Sequence, residues 1–212
     1  MTAPPPPTAR PTPGSLLVAL PTLEEPTFHR TVLLMLAFGT KEGALGVVLN
    51  RPNEVPVAAL LPGWERLAAP PDSVFVGGPV SRESVICLAT LTRPFVPGDG
   101  SGVGADQDEP IPGCAPLPDG GGGGGRLATV DLNRDPSEVE DAVSGVRLFS
   151  GYAGWSAGQL ESELQSGSWL VLPCLDGDAF TDEPEELWTR VLGRQRGHVA
   201  LYAKAPPKLS MN

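Results

Sequence analysis

Residues 149–164 read FSGYAGWSAGQLESEL. A short apolar strand leads into a glycine-rich corner that holds Tyr152 and Trp155, and an amphipathic helix follows. Gly151, Gly154 and Gly158 let backbones pass closely, and the two aromatics supply a large apolar surface at the turn. Ser156 followed by Gln159 has the form of a capping box, Leu160 and Leu164 share a helix face, and Gly167 closes the helix. This is architecture. It contains no evident catalytic set.

Outward from that stretch, short runs rich in aliphatic and β-branched residues predict strands at 15–20, 31–38, 45–50, 74–76, 85–90, 127–132, 146–150, 169–172 and 199–203. The second and third form a hairpin, with Gly39 and Gly43 bracketing its turn. The unbroken run VLLMLAF, 32–38, predicts a strand covered on both faces. Helices are predicted at 57–61, after Ser156, and at 183–192, where Asp182 and Glu185 form a second cap pair; a weaker one lies at 136–143. Strands and helices do not alternate strictly, so an α+β fold is expected rather than a doubly wound sheet.

Two low-complexity segments stand apart. Residues 1–13 carry six prolines and read as a polyproline-prone tail. Residues 97–125 carry five acids, no base and six consecutive glycines, and read as a flexible acidic insertion in one domain spanning 14–204; a domain boundary there is the alternative. Residues 205–212 form a second tail. The amino terminus has no apolar segment of the kind a secretory signal needs, and no apolar run reaches the roughly 20 residues that span a bilayer. Three cysteines without close pairing suit a reducing compartment. A soluble, cytoplasmic protein with no membrane contact is expected.

The net charge is −10. Segment 14–96 contributes −1, from seven acids and six bases, and segment 126–203 contributes −7, from thirteen acids and six arginines. No part of the chain is basic, so the electrostatic footprint of a nucleic-acid binder is missing.

Candidate chemistry is sparse. Gly154-Trp155-Ser156-Ala157-Gly158 matches the nucleophile-elbow pattern, with His198 downstream as base and Asp176, Asp178 or Asp182 as acid; helix capping is the competing role for Ser156. His29 and His198 lack companions at metal-ligand spacing. Asp176-Gly177-Asp178 with Asp182 lacks the closing Glu of a calcium loop and reads as a turn. Gly77-Gly78-Pro79 offers a backbone nest for an anion, with Arg82 close by and Asn50-Arg51-Pro52 ending another strand. One pocket for a small anionic ligand, lined by Asn50, Arg51, Gly77, Gly78 and Arg82, is therefore expected; turn formation is the plainer role for the same residues.

The ordered set GSLLVALPTLEEPTFHRTVLLML from Gly14, GALGVVLNRP from Gly43, VFVGGPVS from Val74, GYAGW-x-x-GQL from Gly151, SWLVLP from Ser168 and EELWTRVLGRQ from Glu185 resembles the YqgE/AlgH family of bacterial proteins. The resemblance implies a mixed, bifurcated sheet partly closed into a small barrel and flanked by helices. It also makes Gly151, Tyr152, Trp155, Gly158 and Gln159 a structural signature, and it does not restrict position 156 to serine. The family name carries an association with transcriptional regulation, yet no helix-turn-helix or basic patch supports promoter binding. The expected function is a non-enzymatic binding or regulatory protein acting through a protein partner or small anionic ligand. No catalytic residues, metal or cofactor are expected. An unrecognised enzyme, with a hydrolase as first candidate, is the alternative.

Overall fold

The computed structural model describes residues 10–95, 113–118 and 125–206. The proline tail up to residue 9, most of the glycine-rich segment and residues 207–212 lie outside them. The mostly β architecture is a curled, half-barrel sheet with a few short helices. Among the described residues ten strands form it: β1 Ser15–Ala19, β2 Val32–Gly39, β3 Gly43–Val48, β4 Pro52–Pro56, β5 Ser73–Val76, β6 Val80–Leu91, β7 Cys114–Pro116, β8 Leu127–Val130, β9 Val143–Trp155 and β10 Trp169–Pro173. The order is β10-β1-β2-β3-β9-β6-β8-β7, with β4 and β5 branching from β9. All pairings between strands are antiparallel except β5 with β9.

The bifurcation sits where the sequence places its signature. Residues 153–155 of β9 pair with β3, whereas Phe149 and Ser150 pair with β5 along the same edge. Gly151 lies between them at φ +69°, and a Cβ there would come within 2.8 Å of the carbonyl oxygens of Gly78 and Val80. The segment 151–155 is thus the second half of a 13-residue strand, and the corner expected there is corrected to a branch point. Across from it β6 loops out: Val80 pairs with Tyr152 and Val85 with Ser150, so residues 81–84 leave the ladder with β9.

Apolar alternation explains the layers. On β1 and β2, Leu16, Val18, Val32 and Leu34 face one core, and Leu17, Ala19, Leu33 and Met35 face another. The first core is covered by helices α3 Leu187–Gly193 and α4 Val199–Tyr202, where Trp188 is buried and its indole N–H donates to the Ala19 carbonyl at 2.7 Å. The second is covered by α2 Gln159–Gln165 and Phe28. Helix α1 Val57–Leu60 and Trp64 cover a third core on the β6–β8 wing. The continuous aliphatic runs of β1 and β2 are buried on both faces because each face has its own cover.

Several local expectations change. The strand expected at 199–203 is instead the helix α4 with Ala203 as its cap: Val199 turns into the core while Leu201 is 64% exposed, as the helical period and not the strand period dictates. β4 carries two prolines in five residues, tolerated because it is an exposed strand paired on one side. β7 lies inside the segment read as a flexible insertion and adds a three-residue edge to β8. The helix expected at 136–143 shrinks to a 3-10 turn, Pro136–Glu138, capped by Asp135. The helix expected at 183–192 divides into a 3-10 turn, Pro184–Glu186, and α3. Asp182 does not cap it; the Thr181 hydroxyl instead accepts from the Glu183 amide at 3.0 Å.

Candidate functional site

Of the residues expected to line an anion pocket, the structure joins Asn50 and Arg51 and gives the glycines a different task. Asn50 is buried; its amide oxygen accepts from the Val32 N–H at 2.9 Å and its amide nitrogen donates to the Arg30 carbonyl at 2.9 Å. Arg51 donates from Nη1 to the Asn50 carbonyl at 3.2 Å and from Nη2 to the His29 carbonyl. Burial first, and then the neighbouring Arg30 charge, hold its guanidinium below the ordinary value. The Gly77 amide donates to the Ser150 carbonyl at 2.9 Å, and a Cβ on Gly77 would lie 2.2 Å from the Gly151 carbonyl oxygen. A Cβ on Gly78 would meet the Tyr152 backbone at 2.1 Å. Close passage of two backbones explains this glycine pair. Arg82 lies exposed in the looped-out part of β6, and its carbonyl accepts from the Ser150 hydroxyl.

The signature closes around Glu163. Its Oε2 accepts the indole N–H of Trp155 at 3.0 Å and of Trp169 at 2.7 Å, while its Oε1 accepts from Gln159 Nε2 at 3.0 Å. The two indoles meet edge to face at 6.0 Å, and Phe28 stacks on Trp155 at 6.3 Å. Ser156 is not the cap expected of it. The helix starts at Gln159 with Gly158 before it at φ +76°, and the Gln159 amide donates to the Ser156 backbone carbonyl at 3.0 Å. The Ser156 hydroxyl donates to Gln159 Oε1 at 3.2 Å, and the same oxygen accepts the Ser156 amide. Gly167, at φ +76°, ends the helix in a Schellman arrangement: its amide reaches the Leu164 carbonyl and that of Ser168 reaches Glu163. Tyr152 is half-buried against the first core.

Ser156 and His198 are not brought together. Trp155 and Leu160, which flank the serine, belong to the core under α2. Val199 and Tyr202, which flank the histidine, belong to the core on the opposite face. His198 packs edge-on against Tyr202 at 6.3 Å. Asp178 accepts both guanidinium nitrogens of Arg194, at 2.8 and 2.7 Å, and also the Leu175 amide, so it fixes a turn. Among the described residues no group of three His, Cys, Asp or Glu could hold a metal ion.

Two features carry little sequence signal. Arg147, on β9, is 1% exposed and has no carboxylate in contact among the described residues. Its guanidinium donates to the carbonyls of Pro70, Ala179 and Thr181 and lies over Phe75, 4.4 Å from the ring centre. Burial lowers its pKa to about 10, with Asp182 opposing the shift, so it stays charged at neutral pH. The second feature is an open groove of about 910 Å³ between α1 and the β6–β8 wing. Its walls include Leu36, Leu45, Leu60, Leu61, Val85 and Leu132, with Thr129, Asp131 and Asn133 also lining it. The Asp131 carboxylate already accepts the backbone amide and side-chain amide of Asn133, which lower its pKa. Cys87 also lines the groove, but it is 2% exposed and burial pushes its thiol up to about 12.

The chain is similar to bacterial proteins over nearly its whole length. It is 42% identical over 207 residues to a UPF0301 protein of Mycobacteroides abscessus, covering 98% of this chain and 91% of that one. A UPF0301 protein of Mycobacterium tuberculosis is 43% identical over 199 residues, covering 94% and 90%. Among solved structures, a Corynebacterium diphtheriae protein superposes with a TM-score of 0.79 at 31% identity, covering 93% of this chain and 94% of that one. The solution structure of the AlgH protein from Pseudomonas aeruginosa gives 0.54 at 26% identity, covering 93% and 100%. The family model described as AlgH-like matches residues 16–200, nearly the whole of the described fold, and the chain belongs to that family.

Proposed function

We propose that this AlgH-like protein is a non-enzymatic binding protein whose working surface is the groove beside α1, and that its occupant is an apolar segment of a protein partner. What carries this reading is the makeup of the groove wall: partly exposed aliphatic side chains converge there from several elements, with Thr129, Asp131 and Asn133 grouped at one side. Small-molecule sites pair an apolar wall with several precisely placed polar groups. Here the nearest carboxylate is already engaged by Asn133. The absence of any basic segment supports action through a protein rather than directly on DNA. No helix among the described residues is long and apolar enough to cross a membrane.

The test is site-specific photo-crosslinking in the native host, with a benzophenone amino acid placed at position 60, in the groove, or at position 55, on β4. Leu60 and Val55 are equally exposed, at 40% and 41%, but only Leu60 lines the groove. A discrete protein adduct from position 60 and none from position 55 is expected. Identical patterns from the two positions, or no adduct from position 60, would refute the reading.

A further inference from the structure

We propose that Arg30 and Arg51 together bind a small oxyanion, a phosphate group being the chemistry that fits them. The site is separate from the groove. Arg30 sits at φ 55° two residues before β2 begins, in a conformation that a non-glycine residue rarely holds. Asn50 fixes it there by donating to its carbonyl while bonding the Val32 amide on the other side. The Arg30 guanidinium lies 4.2 Å from the centre of the Trp188 ring and donates from Nη1 to the Ala205 carbonyl at 3.1 Å. Arg51 is held by the carbonyls of Asn50 and His29, on the segment that carries Arg30.

The Arg51 guanidinium is thereby anchored on the carbonyl of His29, the residue before Arg30; burial, and after it the Arg30 charge, lower the Arg51 pKa. Like charges so placed repel, and burial weakens the solvent screening between them. Among the described residues neither arginine forms an ion pair; Glu185 lies near enough to favour the Arg51 charge without touching it. Each guanidinium carries five N–H donors, and the bonds above leave several of them on each side chain without an acceptor among the described residues. Anchored forks with spare donors match the oxygens of a phosphate group. The ring of Trp188 and the backbone carbonyls set the forks in advance, so little side-chain entropy remains to be lost on binding.

The experiment is thermal unfolding of the full chain at fixed ionic strength, with chloride replaced stepwise by inorganic phosphate. The wild type should show a saturable rise in Tm, about 3–6 °C once phosphate reaches ten times its Kd. Arg51→Gln and Arg30→Gln should each abolish the saturable part, and Arg82→Gln should keep it, since Arg82 is exposed and bonded to neither. A rise that stays linear in phosphate reflects exclusion of the salt from the surface and overturns the proposal. So does an unchanged saturable rise in Arg51→Gln, or its loss in Arg82→Gln. Should a glutamine variant fail to fold, Arg51→Lys keeps the charge and loses the fork. Phosphate titration followed by phosphorus NMR line broadening should then give at least tenfold weaker binding; equal affinity overturns the proposal.

Discussion

The surface around Trp155 and the surface around Leu60 are both apolar, and the chain treats them in opposite ways. Over Trp155 and Trp169 it lays a helix, a phenylalanine and a carboxylate that accepts both indole N–H groups. Leu60 ends a four-residue helix facing the short strands β7 and β8, and the aliphatic walls there stay partly exposed. A fold that can close one apolar surface so fully has no need to leave another open for stability. The closed surface maintains the scaffold, and the open one is the surface we propose for a partner.

The largest expected effect falls on the closed side. Trp155→Ala removes a side chain that is 6% exposed, stacks with Phe28 and Trp169, and occupies one of the Glu163 acceptor sites. It should lose about 3–5 kcal/mol of stability, as large aromatic deletions in cores do. Equilibrium urea unfolding measures this, and a loss below about 1 kcal/mol would mean that the two surfaces are not different in kind.

The thiols test whether the floor of the groove is as dry as the closed core. Cys87 lines the groove and Cys174 belongs to the core under α3, and burial raises both to about 12 from 9.0. A raised folded pKa means that the protonated thiol is favoured in the native state. Its contribution is complete below pH 9 and is lost as pH climbs toward 12, because the unfolded chain ionises first. Stability should therefore fall by about 1.4 kcal/mol per pH unit for each thiol across that window. Cys87→Ala and Cys174→Ala should each flatten the slope by that amount. A groove floor open to water would leave the Cys87→Ala slope unchanged, and Cys87 would then react with thiol reagents in the folded protein at pH 8.

What could be read from the chain beforehand follows the same division. β1, β2 and β3 were legible because burial on two faces leaves unbroken aliphatic runs, and the signature was legible because a branch point needs glycine at 151 and bulk at 155. β4 and β7 were not, since proline suppresses a strand signal and an edge position is what makes proline tolerable. Glu163 looked like one more polar residue on a helix; its role appears only when β9 and β10 bring two indoles to it. Arg147 was invisible for a stricter reason. Its partners are the carbonyls of residues 70, 179 and 181, and any residue type supplies a carbonyl. Gly77 and Gly78 could signal an anion nest or a close crossing, and composition alone does not separate the two. The groove depends on how far the sheet curls, which no local pattern encodes.

A smaller effect sharpens the account of the closed side. Glu163→Ala strips the acceptor from two indole N–H groups and from Gln159 together, and leaves the rings stacked. The Trp169 indole is buried, so its N–H has no water to turn to. A loss of about 1–3 kcal/mol is expected, the range for buried donors left without partners. Glu163→Gln keeps an acceptor oxygen and should recover part of it. If both variants unfold at the same urea concentration as wild type, Glu163 is a bystander and packing alone closes that face.

The smallest effect on stability falls on the open side, and there the readout must be binding. Leu60→Asp and Val55→Asp alter two residues of matched exposure, so each should change stability by no more than about 0.5 kcal/mol. An apolar fluorescent dye such as ANS should separate them. A carboxylate at position 60 puts a charge that resists desolvation into the groove wall, whereas the same charge at position 55 lies outside the groove. Dye fluorescence should drop at least fivefold in Leu60→Asp and hold in Val55→Asp. Equal loss in both would mean that the dye reads scattered surface side chains, and Leu60 would then mark no site; an unchanged signal in both would mean that the groove is too shallow to hold an apolar group at all.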